Sequence, residues 1–386
     1  MFSFGSKSNE LIRDLVLSCT DIKLDTDIVV HNDKFYDRVF NEESLGLGET
    51  YMLGWWDAKD KTLDELFYDV TKADLKSKLL DLSLISKLRL GWTWLYNYFY
   101  PVRTIDESKI VALQHYDLDR KLYESMLGDS MVYSCGYFMN ETDTLDQAQN
   151  NKMELIARKI NLKPGMRILD IGCGWGRLAY YLGQNNVYVD AITISREQYD
   201  FAVEHFQNDY VKFHLQDYRE FKSDHQYDAI VSVGMFEHVN SNNYVEFMKI
   251  AYSFLKPQGL FLLHTIGSTK TVDVPDRWIG KYIFPNSHLP SLSQITSSVE
   301  NLFVVEDVHN LGANYDKTLM CWYNNFVSGF NELNQQLKTP LSNEFYRMWT
   351  YYLLSCAGGF RSRKIQLYQV VLAKDPVETY ERPLIR

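Results

Sequence analysis

The sequence has little of what staples small secreted or metal-bound proteins together. Its five cysteines, Cys19, Cys135, Cys173, Cys321 and Cys356, are scattered without Cys-x-x-Cys spacing. That argues against a zinc site or a disulfide framework and for a reducing, cytoplasmic setting. The opening residues MFSFGSKSNELIRDL lack the basic stretch and long apolar core of a signal peptide. No run approaches the ~20 apolar residues of a membrane span. Positive charge is also short: a net charge of −10 disfavours broad nucleic-acid binding, which needs clustered Lys and Arg on phosphates. There is no internal repeat and no low-complexity tract.

At 386 residues the chain exceeds the size at which one core stops growing, so two domains are expected. The aromatic share, 15%, is high and suggests a large apolar pocket or interface. Residues 1–100 carry mixed helical signals around Gly46, Gly48, Tyr51, Gly54, Trp55 and Trp56 and are read as a smaller amino-terminal domain associated with lipid or membrane. Between Lys72 and Leu90 there is a local excess of three positive charges, followed by Trp92, Trp94, Tyr96, Tyr98, Phe99 and Tyr100. Basic charge beside such aromatics suits docking on an anionic membrane; an amphipathic helix beside a buried aromatic stretch accounts for it equally well. A linker is placed at 101–112 and a catalytic domain at 113–386.

From Arg167 onward, short apolar runs alternate with helical stretches, the pattern of a parallel sheet with crossover helices. The runs predict strands over 167–171, 187–192, 211–215, 229–233 and 259–264. The first enters Asp170-Ile-Gly172-Cys-Gly174-Trp-Gly176, a strand, a glycine turn and then a helix. The spacing G-x-G-x-G departs from the G-x-G-x-x-G of dinucleotide-binding folds. It is similar to the first motif of the class I S-adenosylmethionine methyltransferases, whose Rossmann-like α/β sheet is the fold expected here. That cofactor carries an ammonium and a sulfonium but no phosphate, so an acid just before the turn makes chemical sense. A helix-capping role is the plain alternative for Asp170. For the ribose, Asp190 has the usual spacing and competes with Thr193 and Gln198. After the third strand, Gln216 and Asp217 stand where the adenine edge is expected, with a solvated turn as the bland reading.

Segments along nearly the whole chain resemble the cyclopropane-fatty-acyl-phospholipid synthases, relatives of the mycolic acid cyclopropane synthases. They include His115-Tyr116-Asp117-Leu118, Tyr133-Ser134-Cys135-Gly136-Tyr137, Leu169 to Gly176, Ile192-Thr-Ile-Ser195 with Gln198, Val233-Gly-Met-Phe-Glu237-His-Val239, Leu262-Leu-His264-Thr-Ile266-Gly267, Lys281 to Asn286 and Asn314-Tyr315-Asp316. Ser44 to Glu49 and Gly54-Trp-Trp-Asp57 extend the likeness toward the amino terminus.

The resemblance implies an enzyme that adds a methylene carbon from S-adenosylmethionine to the cis double bonds of phospholipid acyl chains. It implies a homodimer peripheral to the inner face of the membrane. Tyr116 and Ser134 fall to the cofactor, and Cys135, Glu237, His264, Ile266 and Tyr315 to a bicarbonate ion acting as base. Those residue types suit the task. Glu237 can accept the bicarbonate hydroxyl proton, His264 and Tyr315 can donate to its oxygens, and Cys135 and Ile266 can offer backbone groups. Tyr116, Tyr137 and Phe236 offer π faces to a cation. Taken singly, Cys135 reads as a small buried hydrophobe, His264 as a core histidine, Glu237 as a cap and Tyr315 as packing. A small-molecule N-methyltransferase and a lipid-binding protein without turnover are the alternatives on the same fold.

Overall fold

The computed structural model describes residues 13, 20–24, 26–73, 120–271, 276–375 and 380–383. The expected linker at 101–112, Tyr116 and residues 74–100 of the basic and aromatic stretch lie outside them. Contacts divide the chain into two units, one of residues 1–119 with Val274–Pro285 and Asn331–Lys364, the other of Arg120–Asp273, Asn286–Phe330 and Ile365–Arg386. Two stretches from the second half of the chain therefore belong with the amino-terminal unit.

In that unit a short antiparallel pair, β1 (Ile28–Val30) and β2 (Trp56–Ala58), accompanies helices that include Lys34–Glu42, Ser44–Met52, Leu63–Lys72 and Asn343–Arg361. The glycines in Ser44-Leu-Gly-Leu-Gly-Glu49 have a packing reason. A Cβ at Gly46 would collide with the Arg38 carbonyl, and one at Gly48 with the Trp278 ring, so only glycine lets these partners approach. Glu49, buried here, is met by Arg38, by Lys281 Nζ at 2.6 Å and by the Tyr282 hydroxyl at 2.8 Å. Burial alone would raise its pKa, but these partners outweigh burial and hold it below the usual carboxylate value.

The second unit is built on seven further strands: β3 (Arg167–Ile171), β4 (Tyr188–Thr193), β5 (Val211–Leu215), β6 (Tyr227–Val233), β7 (Leu255–Ser268), β8 (Val304–Asn310) and β9 (Ile365–Ala373). Their order is β5-β4-β3-β6-β7-β9-β8, parallel from β5 through β7, with β9 antiparallel to both neighbours. Alternation along each strand feeds two cores. Leu169, Ile230, Phe261, Leu263 and Val370 pack on one face of the sheet with Phe247 and Met248. Ile168, Ala229, Val231, Leu262 and Val371 pack on the other with Ile156 and Leu182. Burying both faces explains why these strands read as continuous apolar runs. Truncating a side chain such as Phe247 to Ala in so tight a core costs about 3–5 kcal/mol.

The sheet is the expected class I methyltransferase-type α/β fold. Strand order reverses at β3, with β4 on one side and β6 on the other. That reversal opens a crevice at the carboxyl ends of the strands, where ligands of such sheets bind. Strands β3 and β5 have the expected bounds, whereas β4 begins and ends one residue later than expected and β6 begins two residues earlier. Strand β7 is longer at both ends, and β8 and β9 were not anticipated.

Candidate active site

The glycine turn leaves β3 at its carboxyl end. Gly172 and Cys173 both donate their N–H to the Ile192 carbonyl at 3.0 Å, which folds the turn back over β4. Gly172 has φ +83°, and a Cβ there would lie 2.5 Å from Met235 Cγ; Gly174 has φ +54° and open space around it. Both glycines serve the backbone conformation, and Gly172 close packing as well. Gly172→Ala is therefore expected to cost about 2–3 kcal/mol, combining strain with displacement of Met235, and Gly174→Ala about 1 kcal/mol. Thermal unfolding of the two variants checks this order.

Asp170, just before the turn, is 1% exposed and neither carboxylate oxygen has a hydrogen-bond partner. Burial pushes its pKa up to about 7. A buried acid with two open oxygens does not cap the helix; it fits a cationic ligand group. Asp190 is in another situation. Burial alone would raise its pKa, but hydrogen bonds from His214 Nε2 at 2.7 Å and the Tyr227 hydroxyl at 3.0 Å hold it below the usual value and fill its oxygens. Thr193 ends β4 and Gln198 lies on the following helix, Arg196–Phe206; the two are joined side chain to side chain at 3.2 Å, with Ser195 capping the Gln198 N–H. Gln216 N–H donates to the Thr193 carbonyl at 2.9 Å. Asp217 is held by Arg219 through Nε at 2.9 Å and Nη2 at 2.6 Å, which keeps its pKa low.

A second group gathers at the ends of β6 and β7. Glu237, in the short turn Phe236–His238 after β6, accepts the Ile266 N–H on Oε1 at 2.6 Å, and its Oε2 is buried without a partner. Burial raises its pKa to about 7 against the pull of the Ile266 N–H. His264 pairs with Val233 across the β6–β7 register. Gln369 Nε2 on β9 lies 3.1 Å from His264 Nδ1; with the amide in this orientation Nδ1 accepts and a neutral ring carries its proton on Nε2, which is buried and unpartnered, as is Gln369 Oε1. Burial first, then Lys152 and Lys159, push the His264 pKa well below the ordinary value.

Cys135 is a buried thiol whose pKa burial pushes up to about 12, which excludes a thiolate nucleophile near neutral pH. Its segment is tied to the long helix Gly312–Gln336, which carries Tyr315. Gly136 N–H donates to Thr318 Oγ1 at 3.0 Å, and Phe138 N–H donates to Asn314 Oδ1 at 3.0 Å. Ser134 Oγ accepts from Lys152 Nζ at 2.7 Å. Of the expected aromatic faces, Phe236 stacks on Tyr244 at 4.3 Å within the core, and Tyr137 lies edge-on to His309. A different series of touching rings runs from Phe201 through Trp175, Tyr123, Tyr133 and Trp322 to Tyr315, with centroids 5.2–5.9 Å apart. It links the glycine turn to the Tyr315 helix. Lys152, Thr318 and Gln369, and of the rings Phe201, Tyr123 and Trp322, lie outside the motif segments.

The fold and its open acid define a class I methyltransferase. Residues 103–370 match the family model described as mycolic acid cyclopropane synthetase. The cyclopropane-fatty-acyl-phospholipid synthase of Escherichia coli strain K12 is 47% identical over 349 residues, 90% of this chain and 88% of that protein. The chain belongs to this cyclopropane synthase family and is an S-adenosylmethionine-dependent enzyme acting on lipid double bonds. Among solved structures, the cyclopropane synthase MmaA2 of Mycobacterium tuberculosis superposes with TM-score 0.62 at 30% identity, covering 70% of this chain and all of that one. The mycolic acid cyclopropane synthase CmaA1, solved with S-adenosylhomocysteine and CTAB, gives TM-score 0.61 at 30% identity, covering 70% and 99% of the two chains.

Proposed function

We propose that the enzyme converts cis double bonds in phospholipid acyl chains into cyclopropane rings, with bicarbonate as the proton acceptor. We further propose that it works in the cytoplasm as a homodimer peripheral to the inner face of the membrane. Among the described residues no helix is long and apolar enough to cross a membrane. The observation that carries the chemical reading is that two buried atoms without a partner, Glu237 Oε2 and His264 Nε2, both belong to residues near the ends of the neighbouring strands β6 and β7. A small species with both a hydroxyl and an oxyanion would suit an acceptor and a donor of this kind, and bicarbonate has that chemistry.

S-adenosylmethionine would supply an electrophilic methyl group and bicarbonate a weakly nucleophilic base for the proton lost. Asp170 would hold the cationic end of the cofactor, with Ser134 beside it; Thr193 and Gln198 would meet the ribose, and the Gln216-Asp217 turn the adenine. Asp190, its oxygens filled, would brace β4 against β5 and β6. The alkene π pair would bond to the methyl carbon as its bond to sulfur breaks, and the C–H pair left when the base takes one proton from that carbon would close the ring. The aromatic series from Trp175 to Tyr315 would exclude water and face the positive charge that develops. Glu237, His264 and Tyr315 would orient the base, with Cys135 and Ile266 fixing the surrounding backbone. Incubating the enzyme with unsaturated phospholipid vesicles and methyl-labelled S-adenosylmethionine tests this reading. Acyl chains should gain one CH₂ and lose their alkene; label recovered on nitrogen, or unchanged acyl chains, would count against it.

A further inference from the structure

Two lysines on the helix Leu145–Lys159 are equally buried and differently provided for. Lys159, 0% exposed, meets Asp307 at 3.1 Å, the usual arrangement for a buried ammonium. Lys152, 1% exposed, has its Nζ on the neutral Ser134 hydroxyl, and among the described residues no carboxylate pairs with it. Burial lowers its pKa to about 7, with the Cys135 thiol acting in the opposite sense. A buried amine without a countercharge is costly to keep, and this one stands where the chemistry is expected.

The surroundings say which ligand would balance it. Ser134 is anchored from the same helix, with Gln149 Nε2 donating to its carbonyl at 2.8 Å. Because Ser134 Oγ accepts from Lys152, its own proton is available to an acceptor beside Cys135. His264 on β7 is within electrostatic reach of Lys152 and neutral, and Cys135 is neutral as well. Glu237 contributes negative charge, and a bicarbonate ion would add more. The motif residues Cys135, Glu237, His264, Ile266 and Tyr315 include no permanent cation, so the set as read from the sequence is short of one positive charge.

We propose that Lys152 is the positioning residue that supplies the countercharge for a small carboxyl-type oxyanion bound beside Ser134 and Cys135. The proposal rests on the bicarbonate reading above. Two sources share this chemistry, bicarbonate itself and the α-carboxylate of the cofactor, and bicarbonate is the one the charge shortfall favours.

The test compares full-length wild type, Lys152→Met and Lys152→Arg. Binding of ¹³C-bicarbonate is followed by NMR, affinity for S-adenosylhomocysteine, which retains the α-carboxylate, by calorimetry, and turnover as a function of bicarbonate. Lys152→Met should require about tenfold more bicarbonate or more, in both the NMR titration and turnover, and keep its S-adenosylhomocysteine affinity. Its kcat should recover at saturating bicarbonate, a split that general loosening of the fold would not produce, and Lys152→Arg should restore much of the binding. A loss of similar size confined to S-adenosylhomocysteine would assign the same ammonium to the cofactor carboxylate. If neither anion is bound more weakly by Lys152→Met, the proposal is overturned. A wild type that ignores bicarbonate would refute the bicarbonate reading instead, leaving the calorimetric arm to decide the role of Lys152. If Lys152→Met does not fold, Lys152→Gln, which keeps a donor for the Ser134 hydroxyl but carries no charge, is put through the same three measurements with the same expected and overturning results.

Discussion

Asp170→Asn is expected to yield a protein more stable without ligand and about 100-fold weaker for S-adenosylmethionine. The folded carboxyl has a pKa of about 7 because it is buried with both oxygens open; in the unfolded chain it is about 3.9. Between those values the folded state keeps a proton that the unfolded state has released. Stability therefore falls as pH rises through that window and stays low above it, by about 4 kcal/mol for this group. Asparagine removes the charge but leaves an unsatisfied amide, so the net gain at pH 8 should be smaller, about 1–2 kcal/mol. Wild-type affinity should weaken about tenfold for each pH unit below about 7, since the cationic ligand requires the ionised acid, and the variant should lose that dependence. Thermal unfolding at pH 5 and pH 8, with calorimetry at the same values, reads both effects. A variant that binds the cofactor as wild type does would remove Asp170 from the site.

A carboxylate that destabilises its own fold is retained because a ligand repays it, and the sequence signals this only by position, just before a glycine turn. Glu237 and His264 were singled out by the family resemblance; taken singly they read as a cap and a core histidine, although both lie where the apolar runs that mark β6 and β7 stop. Lys152, Thr318 and Gln369 escaped notice because their partners are distant in the chain: Ser134 lies 18 residues from Lys152, Gly136 182 from Thr318, and His264 105 from Gln369. On a helix surface pattern Lys152 reads as a solvated lysine; only the folded sheet reveals that it is buried. The reverse holds for Asp217, whose oxygens are occupied by a residue two positions on, Arg219, within reach of a local reading.

The same division appears in the fold. Strands β3 to β7 announce themselves because a parallel strand covered on both faces is apolar throughout. Strands β8 and β9 break the strand–helix rhythm, since the helices Gly312–Gln336 and Asn343–Arg361 separate them, and β8 at the sheet edge leaves Val304, Val305 and Val308 exposed. In the other unit, Gly46 and Gly48 make sense only beside Arg38 and Trp278, and the latter lies more than 200 residues away.

Glu237→Gln is expected to keep the fold and cofactor affinity while lowering turnover about 100-fold or more. The geometry dictates how the replacement amide must sit. The Ile266 N–H donates to Oε1 at 2.6 Å, so a glutamine must present its carbonyl oxygen there. Its NH₂ is then forced into the place of Oε2, the buried atom left open in the wild type. A donor thus replaces an acceptor where the hydroxyl of the base must be received, and rotating the amide to correct this would set NH₂ against the Ile266 N–H. The wild-type carboxyl, raised to about 7 by burial, should be ionised above that pH and protonated below it, so turnover should fall as pH drops through about 7. In the variant that limb of the pH profile should flatten, and added bicarbonate should restore little because the acceptor is missing whatever the occupancy. Steady-state rates across pH, with calorimetric S-adenosylmethionine affinity as the control, make the comparison. Near-normal turnover at ordinary bicarbonate would exclude Glu237 as the residue that orients the base.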